Sequence, residues 1–163
     1  MRLSTTRFGD IDIDKSRTIL IKAGILGFEH LKRYVFLVQD EEILFWWFQS
    51  VDDGSVAFVV INPFIIKPDY KPIIQDNDVE LLELKSHEDV ILMSIVTIRS
   101  DPFKVTANLK APIVINLKKK LAKQVILDKS DYPIQYSIVN NKVLLKENSY
   151  NKKEEIIASV VAI

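Results

Sequence analysis

Short apolar and β-branched runs recur along the chain, separated by Asp, Asn, Gly and charged clusters. Runs of four to eight such residues bounded by turn formers predict strands. Leu3–Phe8 and Ile11–Ile13 alternate around Gly9-Asp10 and predict an opening hairpin. Arg17–Lys22 predicts a strand broken at Ala23–Gly27, and Glu29–Lys32 makes at most one helical turn. Tyr34–Val38 and Ile43–Gln49 predict strands around the acidic turn Asp40-Glu41-Glu42, with a buried strand at Val56–Ile61 after Asp52-Asp53-Gly54. The stretch from Pro63 to Pro72 holds three prolines, which rules out a central strand and predicts an exposed excursion. Asp78–Leu84 predicts a helix capped by Asp76 or Asn77. Val90–Ile98 is a long apolar strand. Ile113–Leu117, Gln124–Leu127, Ile134–Val139 and Lys142–Lys146 complete the set, the last two joined by Asn140-Asn141. Many short strands at close spacing predict a mainly β fold, a small antiparallel β-barrel or sandwich with one or two short helices.

Two stretches stand out from this pattern. From Asn108 to Leu127, two apolar runs flank a lysine-rich link, which reads as a hairpin or two consecutive strands with a solvated connection. Asn108, Asn116 and Gln124 punctuate it. Polar residues at strand ends hold turns or meet a partner, and both readings stay open for these three. Phe45-Trp46-Trp47-Phe48 is the second stretch. Alternation sends Phe45 and Trp47 to one side and Trp46 and Phe48 to the other. Either a second layer covers both sides, or one side forms a partner groove.

Composition narrows the class. At 163 residues and 48% hydrophobic, the chain has enough apolar surface for one core and is too apolar for disorder. A single domain over residues 1–147 is expected, followed by a tail at 148–163 that is polar at first and apolar from Ile156 onward. No apolar run is long enough for a membrane-spanning helix. The opening MRLSTTRFGDIDID lacks the pattern of a secretory leader, so a cytoplasmic protein is expected. There is no cysteine, which removes disulfides, thiolate metal sites and cysteine nucleophiles.

Net charge is zero but unevenly spread. Residues through Ser100 carry 11 Lys/Arg against 16 Asp/Glu, and those from Asp101 onward carry 11 against 6. The two halves either neutralise each other on folding or leave an acidic face for a basic protein. Neither reading suits a nucleic-acid binder, which needs a clear basic excess.

Catalytic chemistry finds little support. His30 and His87 stand apart from other ligands, with no spacing such as HExxH. Asp52-Asp53 precedes Gly54, which is common turn chemistry, and adjacent strand residues face opposite ways. Gly24 and Gly27 make no phosphate loop and suit a tight bend. Ser50 lacks a nucleophile elbow. No cofactor or metal is expected. Binding has better candidates: Phe64, an apolar residue at the head of the proline-rich excursion, and the acidic surface around Asp52, Asp53, Asp69 and Tyr70.

Six pieces in order resemble the FliW family of flagellar assembly factors. They are GILGFE at Gly24–Glu29, FQSVDDGSVAFVVINPF at Phe48–Phe64, PDY at Pro68–Tyr70, IVTIRSDP at Ile95–Pro102, NLKAPIVIN at Asn108–Asn116 and QVIL at Gln124–Leu127. The chain departs from the family's pattern at Leu26 and Gly54, where Pro is favoured, at Phe48, where Leu is, and near Ala122, where Gly is. The resemblance implies a regulator without enzymatic activity, monomeric when free. Its implied partners are flagellin and CsrA, a dimeric RNA-binding repressor of flagellin translation, with no direct nucleic-acid or membrane contact. The partner-binding set expected on this reading is Asp52, Asp53, Phe64, Asp69, Tyr70, Asn108, Asn116 and Gln124. The competing classes are a small-barrel ligand-binding module or enzyme, and an oligomeric scaffold using the Trp46-Trp47 patch.

Overall fold

Strands with alternating apolar positions close into a ring. The computed structural model describes residues 1–37 and 44–138. The expected turn at Asp40-Glu41-Glu42, the strand at Lys142–Lys146 and the tail at 148–163 lie outside the described residues. The opening hairpin is β1 (Arg2–Thr5) and β2 (Gly9–Asp12). The ring strands are β3 (Ile19–Ile21), β4 (Arg33–Leu37), β5 (Phe45–Ser50), β6 (Ala57–Ile61), β7 (Val90–Ser100), β9 (Ile113–Asn116) and β10 (Leu121–Gln124). Two further strands, β8 (Phe103–Ala107) and β11 (Tyr136–Ser137), extend the sheet outside the ring. The helices are short: α1 (Pro63–Ile66) and α2 (Asp76–Leu81).

The strands β3, β4, β5, β6 and β7 pair in succession and antiparallel. β7 is long enough to serve twice. Its first half, Val90–Met93, pairs with β9, and its second half, Val96–Ser100, pairs with β8. β9 and β10 form a hairpin, and β10 lies parallel to β3, which shuts the barrel. A closed ring leaves no free edge along its wall.

Three apolar clusters follow from alternation. Inward residues fill the barrel: Ile19 and Ile21, Tyr34, Phe48, Val60, Met93, Ile113, Ile115 and Ala122, with Trp46 and Phe58 packed against them. Outward residues Trp47, Val59, Ile61, Val96 and Val114 pack under a second layer that includes Ile66, Tyr70, Leu82, Leu109, Leu127 and Ile138. Leu3, Ile11 and Ile13 of the opening hairpin pack with Val35 and Val51. The aromatic run of β5 is therefore covered on both sides. Phe8 meets the Trp47 ring edge-on at 5.5 Å, and the Arg7 guanidinium sits 4.2 Å above it.

Four expectations need correction. The helix runs Asp76–Leu81 rather than from Asp78, so Asp76 and Asn77 lie within it, and the N-cap residue Gln75 makes no side-chain capping bond; Asp78 is instead buried and paired with Lys123. β10 begins at Leu121, inside the expected lysine link, because Ala122 is the residue that fits the barrel interior there. The proline-rich excursion carries a helical turn, and Pro63, Ile66 and Tyr70 are buried. β8 has no counterpart in the sequence reading.

Candidate functional site

The β5–β6 turn sets Asp52 and Asp53 at one end of the barrel. Asp52 accepts from the N–H of Lys32 at 2.7 Å, the N–H of Arg33 at 2.8 Å and the Arg33 guanidinium at 2.6 Å. Burial works against its charge, but these donors outweigh it and hold its pKa below the usual carboxylate value. Asp53 accepts from Ser55, both N–H and hydroxyl, and closes the turn. Both carboxylates are spent on local structure. The two do not form an acid–base pair.

The three amides behave as clips. Asn108 accepts from the N–H groups of Lys110 and Ala111. Asn116 accepts from those of Lys118 and Lys119, starting the β9–β10 turn, and donates to the carbonyls of Leu82 and Glu83. One side chain thus forms a turn and satisfies carbonyls at the end of α2. Gln124 donates to Ala111 and accepts the N–H of Leu26 at 2.9 Å, holding the Gly24–Glu29 loop against β10. That loop leaves no room at Gly24: at φ +74°, an added Cβ would lie 2.6 Å from Glu29 Cα. Leu26 stands exposed at its tip.

The proline-rich loop gathers the remaining candidates. Asn62 caps α1 by accepting from Phe64 N–H, and Pro63 opens the helix. Phe64 is exposed on this turn, its ring 5.7 Å from that of Tyr70. Tyr70 points inward. Its hydroxyl donates to the Leu109 carbonyl at 2.8 Å, and its ring meets Tyr132 at 4.7 Å. Burial pushes its pKa well above the ordinary tyrosine value. Tyr132 in turn accepts the N–H of Lys71. Asp69 is 82% exposed and pairs with Lys67 at 3.1 Å. The two segments that this aromatic stack holds together also present Ile73 and Ile134, 75% and 64% exposed. Sequence reasoning missed Ile73, Tyr132 and Ile134. The available signal was the repeated Tyr/Pro/Ile grouping, Tyr70 to Ile73 and Tyr132 to Ile134.

Three ion pairs among the described residues join the two halves of the chain. Lys118 pairs with Asp89, Lys119 with Glu83 and Lys123 with Asp78. Each joins a basic residue of the second half to an acid of the first. Among the described residues, no group of three or more acids and histidines could hold a metal, and no helix is long and apolar enough to cross a membrane. What remains is a filled barrel with an apolar, aromatic-backed surface on its second layer.

Comparison with known proteins places this arrangement. The model of the family described as FliW protein matches residues 2–138. The chain belongs to the FliW family. FliW relatives align over nearly their whole length. The flagellar assembly factor FliW of Syntrophus aciditrophicus is 54% identical over 145 residues, covering 89% of this chain and 92% of that one. That of Caldicellulosiruptor saccharolyticus is 42% identical over 134 residues, covering 82% and 88%. A crystal structure of the flagellar assembly factor FliW superposes with a TM-score of 0.78 at 36% identity, over 87% of this chain and 99% of the other. Membership makes this chain a flagellar assembly factor and not an enzyme, with the mainly β barrel that FliW proteins share.

Proposed function

We propose that the protein binds flagellin and CsrA in the cytoplasm, and that release from flagellin frees it to relieve CsrA repression of flagellin translation. The observation that carries this reading is the exposed set Phe64, Ile73 and Ile134 beside Asp69, mounted on the Tyr70–Tyr132 stack. Apolar groups on a rigid base lose little conformational entropy on docking. Asp69, although paired with Lys67, is exposed enough for its carboxylate to meet a basic partner group, an interaction that salt weakens. A ligand-binding barrel would need a concave interior, whereas this one is packed with large side chains, Tyr34, Phe48 and Ile113 among them. Asp52, Asp53, Asn108, Asn116 and Gln124 act on this reading by shaping the loops, with the carboxylates and amides already hydrogen-bonded within the chain.

The test is calorimetric titration of the purified protein with flagellin and with CsrA, repeated for Phe64→Ser, Ile134→Ser and Asp69→Lys. All three changes lie at exposed positions, so melting temperatures should stay near the parent's. At least one partner should bind about tenfold more weakly to each apolar variant, the loss of a minor hot spot. Full affinity for both partners in all three variants would remove this surface from the proposal. Failure of the parent protein to bind either partner would remove the function itself.

A further inference from the structure

The outer wall of the barrel has two covers with a gap between them. The β1–β2 hairpin lies over Val35 and Val51. The end of α2 reaches the wall on the other side, through Asn116 to the Leu82 carbonyl, Lys22 Nζ to the Leu81 carbonyl, and the Lys123–Asp78 pair. Between the two runs β3. Ile19 and Ile21 are buried in the barrel, so Leu20 points outward, and it is 40% exposed. In the sheet its neighbours are Arg33 on one side and Leu121 on the other, and its N–H donates to the Lys120 carbonyl.

Cations border this apolar step. Lys15 and Arg17 lie on the exposed 3-10 turn that leads into β3, and Lys22 follows the strand. Of the nearby carboxylates, Asp52 holds Arg33 and Glu83 holds Lys119, while Asp14, hydrogen-bonded to Ser16, also lies in the field of Arg17. Lys15, Arg17 and Lys120 make no ion pair among the described residues.

From this juxtaposition we propose that the β3 seam docks an acidic amphipathic helix of a partner protein. The helix lays its apolar stripe on Leu20 and on the part of Leu121 that the second-layer core leaves uncovered, and its carboxylates meet Arg17 and Lys120, with Lys22, whose Nζ also donates to the Leu81 carbonyl, beside them. Both edges of β3 are already paired, so an added strand has no backbone to bond and the occupant must pack through side chains. The centre of the seam is aliphatic, with no exposed aromatic ring for base stacking, and the chain has zero net charge; both features favour protein over RNA. The proposal does not rest on the Phe64 surface assigned above.

The test uses the full-length chain, labelled with nitrogen-15. The probes are a synthetic Glu/Leu amphipathic helix of about five turns, the same peptide with Gln for every Glu, and a single-stranded RNA of equal charge. The acidic helix should shift amides at residues 18–22, 33 and 119–122. The glutamine peptide should bind about tenfold more weakly at low salt, and this gap should shrink as salt rises. Arg17→Glu with Lys120→Glu should erase the gap without changing the melting temperature. Leu20→Asn, a change at an exposed side chain, should weaken both peptides. The proposal fails if the acidic helix gives no shifts at millimolar concentration or shifts amides elsewhere. It also fails if the glutamine peptide binds equally well, or if RNA binds the same residues more tightly.

Discussion

The Tyr70 hydroxyl donates to the Leu109 carbonyl, 39 positions along the chain, at 2.8 Å. Through this bond the proline-rich loop is tied to the segment that leads into β9. Tyr70 is buried, so its part in any partner surface is to support it from beneath. Tyr70→Ala should therefore unfold more easily, by about 3–5 kcal/mol, the range for truncating a large buried aromatic. Tyr70→Phe should cost about 1–2 kcal/mol, because the Leu109 carbonyl loses its donor. Urea denaturation of both variants checks the pair. Equal stability of Tyr70→Ala and the parent would contradict the buried placement.

Tyr34 offers the opposite case. Its hydroxyl is buried inside the barrel without a hydrogen-bond partner among the described residues, while its ring stacks on Phe48 at 4.8 Å. Burial, with help from the Asp52 charge, pushes its pKa from 10.0 up to about 12. The folded state keeps the proton that the unfolded chain gives up in this window. The associated stability is complete below pH 10 and is lost as pH rises toward 12. Tyr34→Phe should be as stable as the parent at neutral pH, within about 1 kcal/mol, and should lose less stability between these two pH values. Denaturation midpoints at neutral and alkaline pH report both effects.

Asp52 titrates in the other direction. Its carboxylate is held charged by two backbone N–H groups and Arg33, so its folded pKa lies below the ordinary 3.8. The stability it contributes is present above that value and is lost as pH falls through the folded pKa. Asp52→Asn should cost about 2 kcal/mol near neutral pH, the scale of hydrogen bonds to a charged acceptor. The gap between variant and parent should narrow in acid. A constant gap down to the lowest folded pH would show that the charge is irrelevant.

Gly24→Ala should be strongly destabilising. The residue sits at φ +74°, and the new Cβ would meet Glu29 backbone at 2.6 Å. Left-handed strain alone costs about 1–3 kcal/mol, and the collision adds to it. Gln124→Ala removes the clip on the same loop and should cost less, about 1 kcal/mol for its hydrogen bonds. Thermal melts rank the two; a milder effect for Gly24→Ala would contradict the close approach.

Much of this fold was legible where short apolar and β-branched runs stand between turn formers. Ile19–Ile21, Tyr34–Leu37 and most of β7, expected at Val90–Ile98, follow from such runs. β8 was not picked out although Phe103-Lys104-Val105-Thr106-Ala107 alternates apolar and polar residues, because the run is only five residues long and starts straight after Asp101-Pro102. β10 hid for a similar reason, since Leu121-Ala122-Lys123-Gln124 shows only a small alanine to the core. At the candidate surface, the prolines beside Tyr70 signalled a restricted backbone, but nothing local tells which way its ring turns; a residue 39 positions away decides that. The uneven charge of the two halves had the same limit. Which lysine meets which acid depends on α2 and the residues from there to the start of β7 lying against the β9–β10 hairpin.

The seam that shuts the barrel also has a bearing on how the chain folds. β3 and β10 share two register partners, Leu20 with Leu121 and Ile21 with Ala122, a parallel pair where the other strand pairs among the described residues are antiparallel. Those partners lie roughly a hundred residues apart, so closing the ring carries a large loop entropy and yields few bonds in return. The consecutive strands β4 to β7 face no such barrier and can assemble as a meander. On a ribosome, an open-sided sheet must persist until residues beyond Gln124 emerge. During that interval the edge of β3 is bare, and it is the place where a nascent copy is most exposed to pairing with another.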